Sequence, residues 1–365
     1  MTGGIKMTLL RAVLLASFAL FGVLVTSAAD AERFSFVALG DTAYNPPADY
    51  PIYEALIDKI NTVHPAFSIH VGDTWGLMDC REPQQRKVLE FFQRYNHPLI
   101  YTPGDNEWVD CVDPEVARVY LDAKGNTAAI LRARPDLAEF YSFGANYDRK
   151  FSDDAQARLE DIRRVFFAKP MSLGQKPIPL TRQADVSEYH QFVENVRWER
   201  SGVLFATINV PGSGNNFTIN NEARAREALV RNRANIDWIR ALFAEAKSRN
   251  SKAVVIAMQA SLFRAGRGDD FTGTEVRGGS EGPYYWIVWA IRDLAAAYGK
   301  PVLVINGDYH DFLVDRPFRV SKGEQKAPLY GNITRLQVYG APDLRAVRVD
   351  VDTNTPWVFS FSPLY

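Results

Sequence analysis

The chain has 365 residues, with 42 lysines and arginines against 43 aspartates and glutamates and a formal charge of −1. A balance so close to neutral carries no electrostatic footprint for nucleic acid or for an anionic membrane. The length is enough for a large buried core and reads as one α/β domain with an insertion, although two domains fit it as well. Residues 1–31 have the form of a signal peptide. Lys6 and Arg11 precede an apolar run from Ala12 to Val25, followed by small-residue cleavage sites at Ser27-Ala28-Ala29 and Ala29-Asp30-Ala31. The run is short for a bilayer span of about 20 residues. The expected product is therefore exported, periplasmic or secreted, with no membrane span after cleavage. No cysteine stands at the cleavage sites, which excludes a lipoprotein anchor, and Cys80 and Cys111 are expected to pair in an oxidising compartment. Closing a loop of that length contributes roughly 3–4 kcal/mol in the chain-entropy picture.

From residue 34 the pattern alternates: strand 34–40, helix around 50–63, strand 67–72, helix around 83–95, strand 98–103. This is the rhythm of a mostly parallel sheet. It breaks between about 112 and 197, a polar stretch with scattered prolines and short helical patterns such as 153–166. We read that stretch as an insertion over the sheet edge, of the kind that forms lids. The rhythm resumes with strand 203–210, helix 222–249, strand 252–258, helix 284–298 and strand 301–306. After about 330 the stretches ITRLQVYG, LRAVRVDVD and WVFSFSP alternate as antiparallel strands do.

Four of the strand-like runs end in Gly-Asp, at Asp41, Asp73, Asp105 and Asp308. Ligands of open α/β sheets bind at the carboxyl ends of the strands. Four carboxylates delivered there repel one another unless cations lie between them, so a metal site is the first expectation. The plainer alternative is that each aspartate caps a helix or closes a turn.

The order and spacing of these motifs resemble the calcineurin-like metallophosphoesterase superfamily over nearly all of residues 32–365. The family motifs D-x-H, G-D, G-N-H-E/D, a lone His after a strand, and G-H-x-H would be Asp41-Thr42-Ala43, Gly72-Asp73, Gly104-Asp105-Asn106-Glu107, Gln259, and Gly307-Asp308-Tyr309-His310. The resemblance implies a four-layer αββα sandwich of two mixed sheets flanked by helices. It also implies a metal site in which Asp41 and His310 hold one ion, Asp73 bridges, and Asp105, Gln259 and Asp308 hold a second. The departures fall on the ligands. Ala43 stands at a histidine ligand and cannot coordinate. The purple acid phosphatase branch compensates with a tyrosine three residues after its bridging Asp, where this chain has Gly76; Tyr44 is near in sequence. Of five histidines, only His310 falls at a motif. His70 reads as a packed core residue, His64 and His97 lie at the far strand ends, and His190 sits in the insertion.

Such a donor set is mostly oxygen, which suits one or two Mg, Mn or Ca ions rather than Zn. Asn106 replaces the motif histidine that helps the leaving oxygen, and an amide cannot deliver a proton. Candidate catalytic residues are therefore Asn106, Asp105 and Glu107, the last two as bases in a non-phosphoryl hydrolysis. Trp75 and Trp108 are candidate walls of a substrate pocket. Asn209, Ser213 and Asn215 in NVPGSGNN, with Arg264 and Arg267, are candidate contacts for a small phosphorylated substrate or another small ligand. The expected function is metal-dependent phosphoesterase action on mono- or diesters. The alternative is a catalytically silent member of the fold that binds a ligand, metal or partner. No G-x-S-x-G or P-loop is present to suggest a serine hydrolase or a nucleotide-phosphate cradle.

Overall fold

The computed structural model describes residues 1–2, 33–76, 80–111, 127–133, 135, 154–263, 277, 282–318 and 330–365. The signal-peptide reading and the arginines at 264 and 267 lie outside the described residues. Strand β1, Arg33–Leu39, shows why a run with both faces buried reads as continuously apolar. Phe36 and Ala38 face one core, Val37 and Leu39 another. It pairs in parallel with β2, Ser68–His70, which pairs in parallel with β3, Leu99–Tyr101. On its other edge β1 pairs antiparallel with β11, Ala346–Asp352, and β11 with β12, Phe359–Leu364. Helices α1, Tyr50–Thr62, and α2, Glu82–Phe92, cover the outer face. Their inward positions, such as Tyr53, Leu56, Ile57 and Ile60, recur at helical spacing.

The second sheet has the order β4-β5-β6-β7-β8-β10-β9. Its centre is parallel: β6, Val203–Thr207; β7, Ala253–Ala257; β8, Val302–Asn306; and β10, Ile333–Gln337. The long helix α4, Glu222–Ser248, and α5, Tyr285–Tyr298, cover its outer face. Ile239, Leu242, Ile287 and Ile291 pack there on Val254, Ile256 and Val304. The inner faces of the two sheets meet in a third core. Phe36 stacks on Phe67 at 5.2 Å, and Phe205 meets Phe67 edge-on at 5.1 Å. Three apolar cores between four layers make this an αββα sandwich of two mixed sheets, the architecture the motif resemblance implies.

The tail departs from its expected pairing. β11 and β12 are antiparallel, but β10 runs parallel to β8 and antiparallel only to the short edge strand β9, Leu313–Asp315. Period-two alternation places a strand's faces and carries no information about its direction. Residues 154–197 contribute to both sheets. Helix α3, Ala155–Phe166, adds Leu159, Ile162 and Phe166 to the outer layer, with Phe166 5.0 Å from the ring of Tyr101. The chain then forms β4, Thr181–Arg182, and β5, Val196–Arg200, on the edge of the second sheet. Cys80 and Cys111 are disulfide-bonded, with Cα atoms 5.6 Å apart, and join the loops that follow β2 and β3. No helix among the described residues is long and apolar enough to cross a membrane.

Candidate functional site

The parallel strands of both sheets point their carboxyl ends at one place. Asp41 follows β1, Asp73 follows β2, Asp105 follows β3, Gln259 follows β7, and Asp308 and His310 follow β8. Hydrogen bonds show that they meet. The Asp308 N–H donates to Asp41 Oδ1 at 2.9 Å, and Gln259 Nε2 donates to Asp73 Oδ2 at 3.1 Å. His310 Nε2 lies 3.6 Å from Asp41 Oδ1. Gly212 lies between Asp105 and Asp308: a Cβ there would sit 2.7 Å from an oxygen of each. Gly307 is pressed against Asp41, since its Cβ would fall 2.1 Å from Asp41 Oδ2. Asp41, Ala43, Asp73, Asp308 and His310 all take positive φ, from 49° to 78°. So many non-glycine residues in the left-handed region at one spot is strain held by the surrounding fold, and such strain clusters at functional sites. Plain helix caps or turns do not require it.

The electrostatics are those of anions forced together. Burial raises the carboxyls of Asp41 and Asp73 well above the usual range, and neighbouring Asp105 and Glu107 push both further. Asp105 and Asp308 are raised by the same burial. Burial lowers the His310 imidazole. Its Nδ1 lies 2.6 Å from the Ala341 carbonyl, which only accepts, so Nδ1 carries a proton, and Nε2 lies 3.1 Å from Tyr44 Oη.

Does this set fit a cation? As the side chains stand, no group of three Asp, Glu, His or Cys among the described residues is arranged to hold one. Internal donors occupy several of the oxygens. Tyr44 Oη donates to Asp73 Oδ2 at 2.7 Å, the Ser261 N–H to Asp308 Oδ2 at 3.0 Å, and Arg277 Nη1 to the same Asp308 oxygen. Yet Asp41 Oδ2 and Asp105 Oδ1 are buried with no donor among the described residues. A buried carboxylate oxygen without a partner is costly, and two of them in an oxygen-rich set are donors of the kind a hard divalent cation takes.

This reading sets the sign of a pH effect. Carboxyls raised in the fold keep protons that the unfolded chain has lost, so their stabilisation is present at low pH and is lost as pH rises from about 4. A bound cation replaces those protons. The rise in melting temperature given by Mn²⁺ over EDTA is therefore expected to grow with pH. Burial also lowers His70, to about 3, and His97, to about 4. Both lie outside the carboxylate cluster and cancel in that difference. Thermal scans from pH 5 to 8, with and without metal, measure it, and a difference independent of pH contradicts cation binding by these carboxylates.

Several residues read from sequence as functional are structural instead. Glu107 is fully buried and accepts from the N–H groups of Asp73, Thr74 and Gly104 and from the Thr74 hydroxyl, at 2.7–3.1 Å. It staples the β2 and β3 loops and has no capacity left to act as a base. Asn106 donates its amide to the Trp75 carbonyl at 2.9 Å and its N–H to Asp73 Oδ1 at 3.2 Å, which places it in the scaffold around Asp73. Trp75 and Trp108 are completely buried; Trp75 Nε1 donates to the Asn106 carbonyl. Asn209 and Asn215 are also fully buried. Asn209 donates to Glu194, Asn215 donates to Asn232, and Arg231 donates to Asn215 Oδ1. Ser213 does reach the site, beside Asp105 and hydrogen-bonded to Asp110.

His70 is the core residue expected, bonded to Thr42 and to the Gly72 N–H. His190 remains exposed against the Ala184 carbonyl. Two further residues belong to the cluster. Tyr44 bridges Asp73 and His310 from the loop after β1, while the Gly76 N–H anchors the Tyr44 carbonyl at 3.2 Å. Arg277 contacts Asp308 from a stretch whose composition marks nothing.

No family model matches the chain, and no curated protein does. Among solved structures it is similar to PhoD at 10% identity and a TM-score of 0.46, covering 88% of this chain and 64% of that one. It thus spans about 64% of the length of PhoD. A dimetal phosphatase from Danio rerio is 9% identical with a TM-score of 0.46, over 91% of this chain and 98% of that one. GAP50, the anchor in the inner membrane complex of Plasmodium, is 10% identical with a TM-score of 0.38, over 91% and 88%.

Proposed function

We propose that the chain is an exported, metal-dependent phosphoesterase acting on small phosphate mono- or diesters through an oxygen-rich site. The observation that carries this reading is the convergence of Asp41, Asp73, Asp105 and Asp308 from four parallel strands, with Asp41 Oδ2 and Asp105 Oδ1 buried and lacking donors among the described residues. Asp41, Asp73 and His310, with Asp105 and Asp308, would hold the divalent ion, and Mg, Mn or Ca suits these donors better than Zn. When bound, such an ion neutralises and polarises phosphoryl oxygens. Asp73 is fixed by Tyr44, Gln259 and the Asn106 N–H, so its position does not depend on the ligand. Ser213 and Arg277 stand at the edge of the cluster, where an anionic ester would approach. No imidazole other than His310 stands in the cluster, and Asn106 cannot deliver a proton. Esters with good leaving groups should be the better substrates, since losing a general acid costs about 10²–10⁴-fold. The Cys80–Cys111 bridge and the form of residues 1–31 support export.

A second reading, a silent member of the fold, draws on the internal donors. Tyr44, Gln259 and Arg277 already occupy carboxylate oxygens that a catalytic ion would use. One experiment separates the two. The purified protein is loaded with mixed divalent cations, desalted, analysed for metal, and assayed with p-nitrophenyl phosphate and bis-p-nitrophenyl phosphate. Retained metal with metal-dependent release of nitrophenol supports the phosphoesterase. Retained metal without turnover supports the silent reading, and retention of no metal defeats the proposal.

A further inference from the structure

The two halves of the carboxylate cluster are not equivalent. On the Asp41 side, Oδ2 has no donor among the described residues, His310 Nε2 lies 3.6 Å from Oδ1, and the group between His310 and Asp73 is a neutral hydroxyl, Tyr44 Oη, which a cation would displace. On the Asp308 side, Asp105 Oδ1 also lacks a donor among the described residues, but a fixed cation and backbone donors already occupy Gln259 and Asp308. Gln259 Oε1 accepts the Gly212 N–H, which fixes the amide so that its nitrogen, not its oxygen, faces Asp73 Oδ2. An amide N–H₂ is a donor and no metal ligand. Asp308 Oδ2 takes both the Ser261 N–H and the Arg277 guanidinium. Arg277 is held over two rings, 5.6 Å from that of Tyr284 and 5.3 Å from that of Tyr309, and Tyr284 is itself anchored by donating to the Pro211 carbonyl at 3.0 Å. A second dication between Asp105 and Asp308 would have to displace this guanidinium or lie against a like charge at close range.

We infer that Arg277 takes the place of a second metal ion: the site binds one divalent cation through Asp41, Asp73 and His310, and the guanidinium supplies the positive charge beside Asp105 and Asp308. The inference rests on the metal-binding reading above and fixes its stoichiometry. Guanidinium suits the task because it stays charged at any working pH and offers directed donors to carboxylate oxygens. It also leaves the site with less surplus positive charge than two dications would.

The test uses Mn²⁺ as the probe, with elemental analysis and electron paramagnetic resonance of the full-length protein after signal removal. The parent protein should retain one equivalent and give the six-line spectrum of an isolated ion. R277M and R277Q, which remove the charge, should retain two equivalents, with the coupled spectrum of a close pair. R277K keeps a cation and should stay at one. Two equivalents in the parent overturn the inference while leaving the metal-binding reading intact. One equivalent in folded R277M and R277Q overturns it as well. No metal in the parent overturns both readings together. Should the neutral variants fail to fold, the parent's stoichiometry and spectrum still decide.

Discussion

Asp73→Ala is expected to abolish metal retention and to lower phosphoester hydrolysis by at least about 10²–10³-fold, the scale on which a preorganised electrostatic group is lost. Asp73 is the hub of the cluster. Its Oδ2 accepts from Tyr44 and from Gln259, its Oδ1 from the Asn106 N–H, and its own N–H is held by Glu107. It therefore touches elements from both sheets. The stability readout should behave differently. Asp73 is buried among Asp105, Glu107 and Asp41, all of which oppose its charge. Removing it relieves repulsion while forfeiting three hydrogen bonds. In EDTA the loss should therefore stay well below the about 3–5 kcal/mol that follows when one partner of a buried ion pair is removed. Metal analysis, nitrophenyl ester assays and urea titration of parent and variant measure all three effects. A variant that still retains metal, or one whose only change is a large loss of stability, would show that Asp73 is scaffold and not ligand.

The sequence showed this centre and hid its supports, and the physical reasons differ. A strand buried on both faces is a short apolar run, and a chain leaving such a strand under strain needs glycine. Asp41, Asp73, Asp105 and Asp308 were legible for that reason, and Gln259 and His310 followed from their places in the same series. The orientation of a loop has no such signature. NVPGSGNN has the composition of an open turn, yet Asn209 and Asn215 face inward because Arg231, on a helix beyond it in sequence, draws them there. Trp75 and Trp108 look like pocket walls beside two motifs. They are instead the apolar filling under loops tied by Glu107 and the disulfide. Tyr44 and Arg277 reach the site through side-chain length, which spacing does not record. The direction of β10 depends on where the chain re-enters the sheet, and alternation is blind to it.

Arg231→Ala should be the most destabilising single change in the scaffold, by about 3–5 kcal/mol in urea titration, because it strands a buried anion. Arg231 is fully buried on α4. It donates to Glu227 through Nε at 2.7 Å, to the Asn209 carbonyl at 3.1 Å, to the Asn215 carbonyl at 3.0 Å and to Asn215 Oδ1, and its guanidinium lies 5.1 Å from the Trp108 ring. Truncation leaves the nearly buried Glu227 without its principal cation and takes the Arg231 donors from the Asn215 carbonyl and Oδ1, while the Asn209 carbonyl keeps only Asn235. The effect should also reach the centre. The segment that Arg231 holds contains Gly212, wedged between Asp105 and Asp308, and Ser213 beside them. Metal affinity should consequently fall by about 10–100-fold, the usual cost of losing support behind the ligands. Arg231→Lys should recover little of either quantity, since a single ammonium cannot span Glu227, Asn209 and Asn215 from one position. A loss under about 1 kcal/mol, or full recovery with lysine, would mean that the Asn-rich loop holds its shape unaided and that α4 has no part in setting the geometry of the carboxylates.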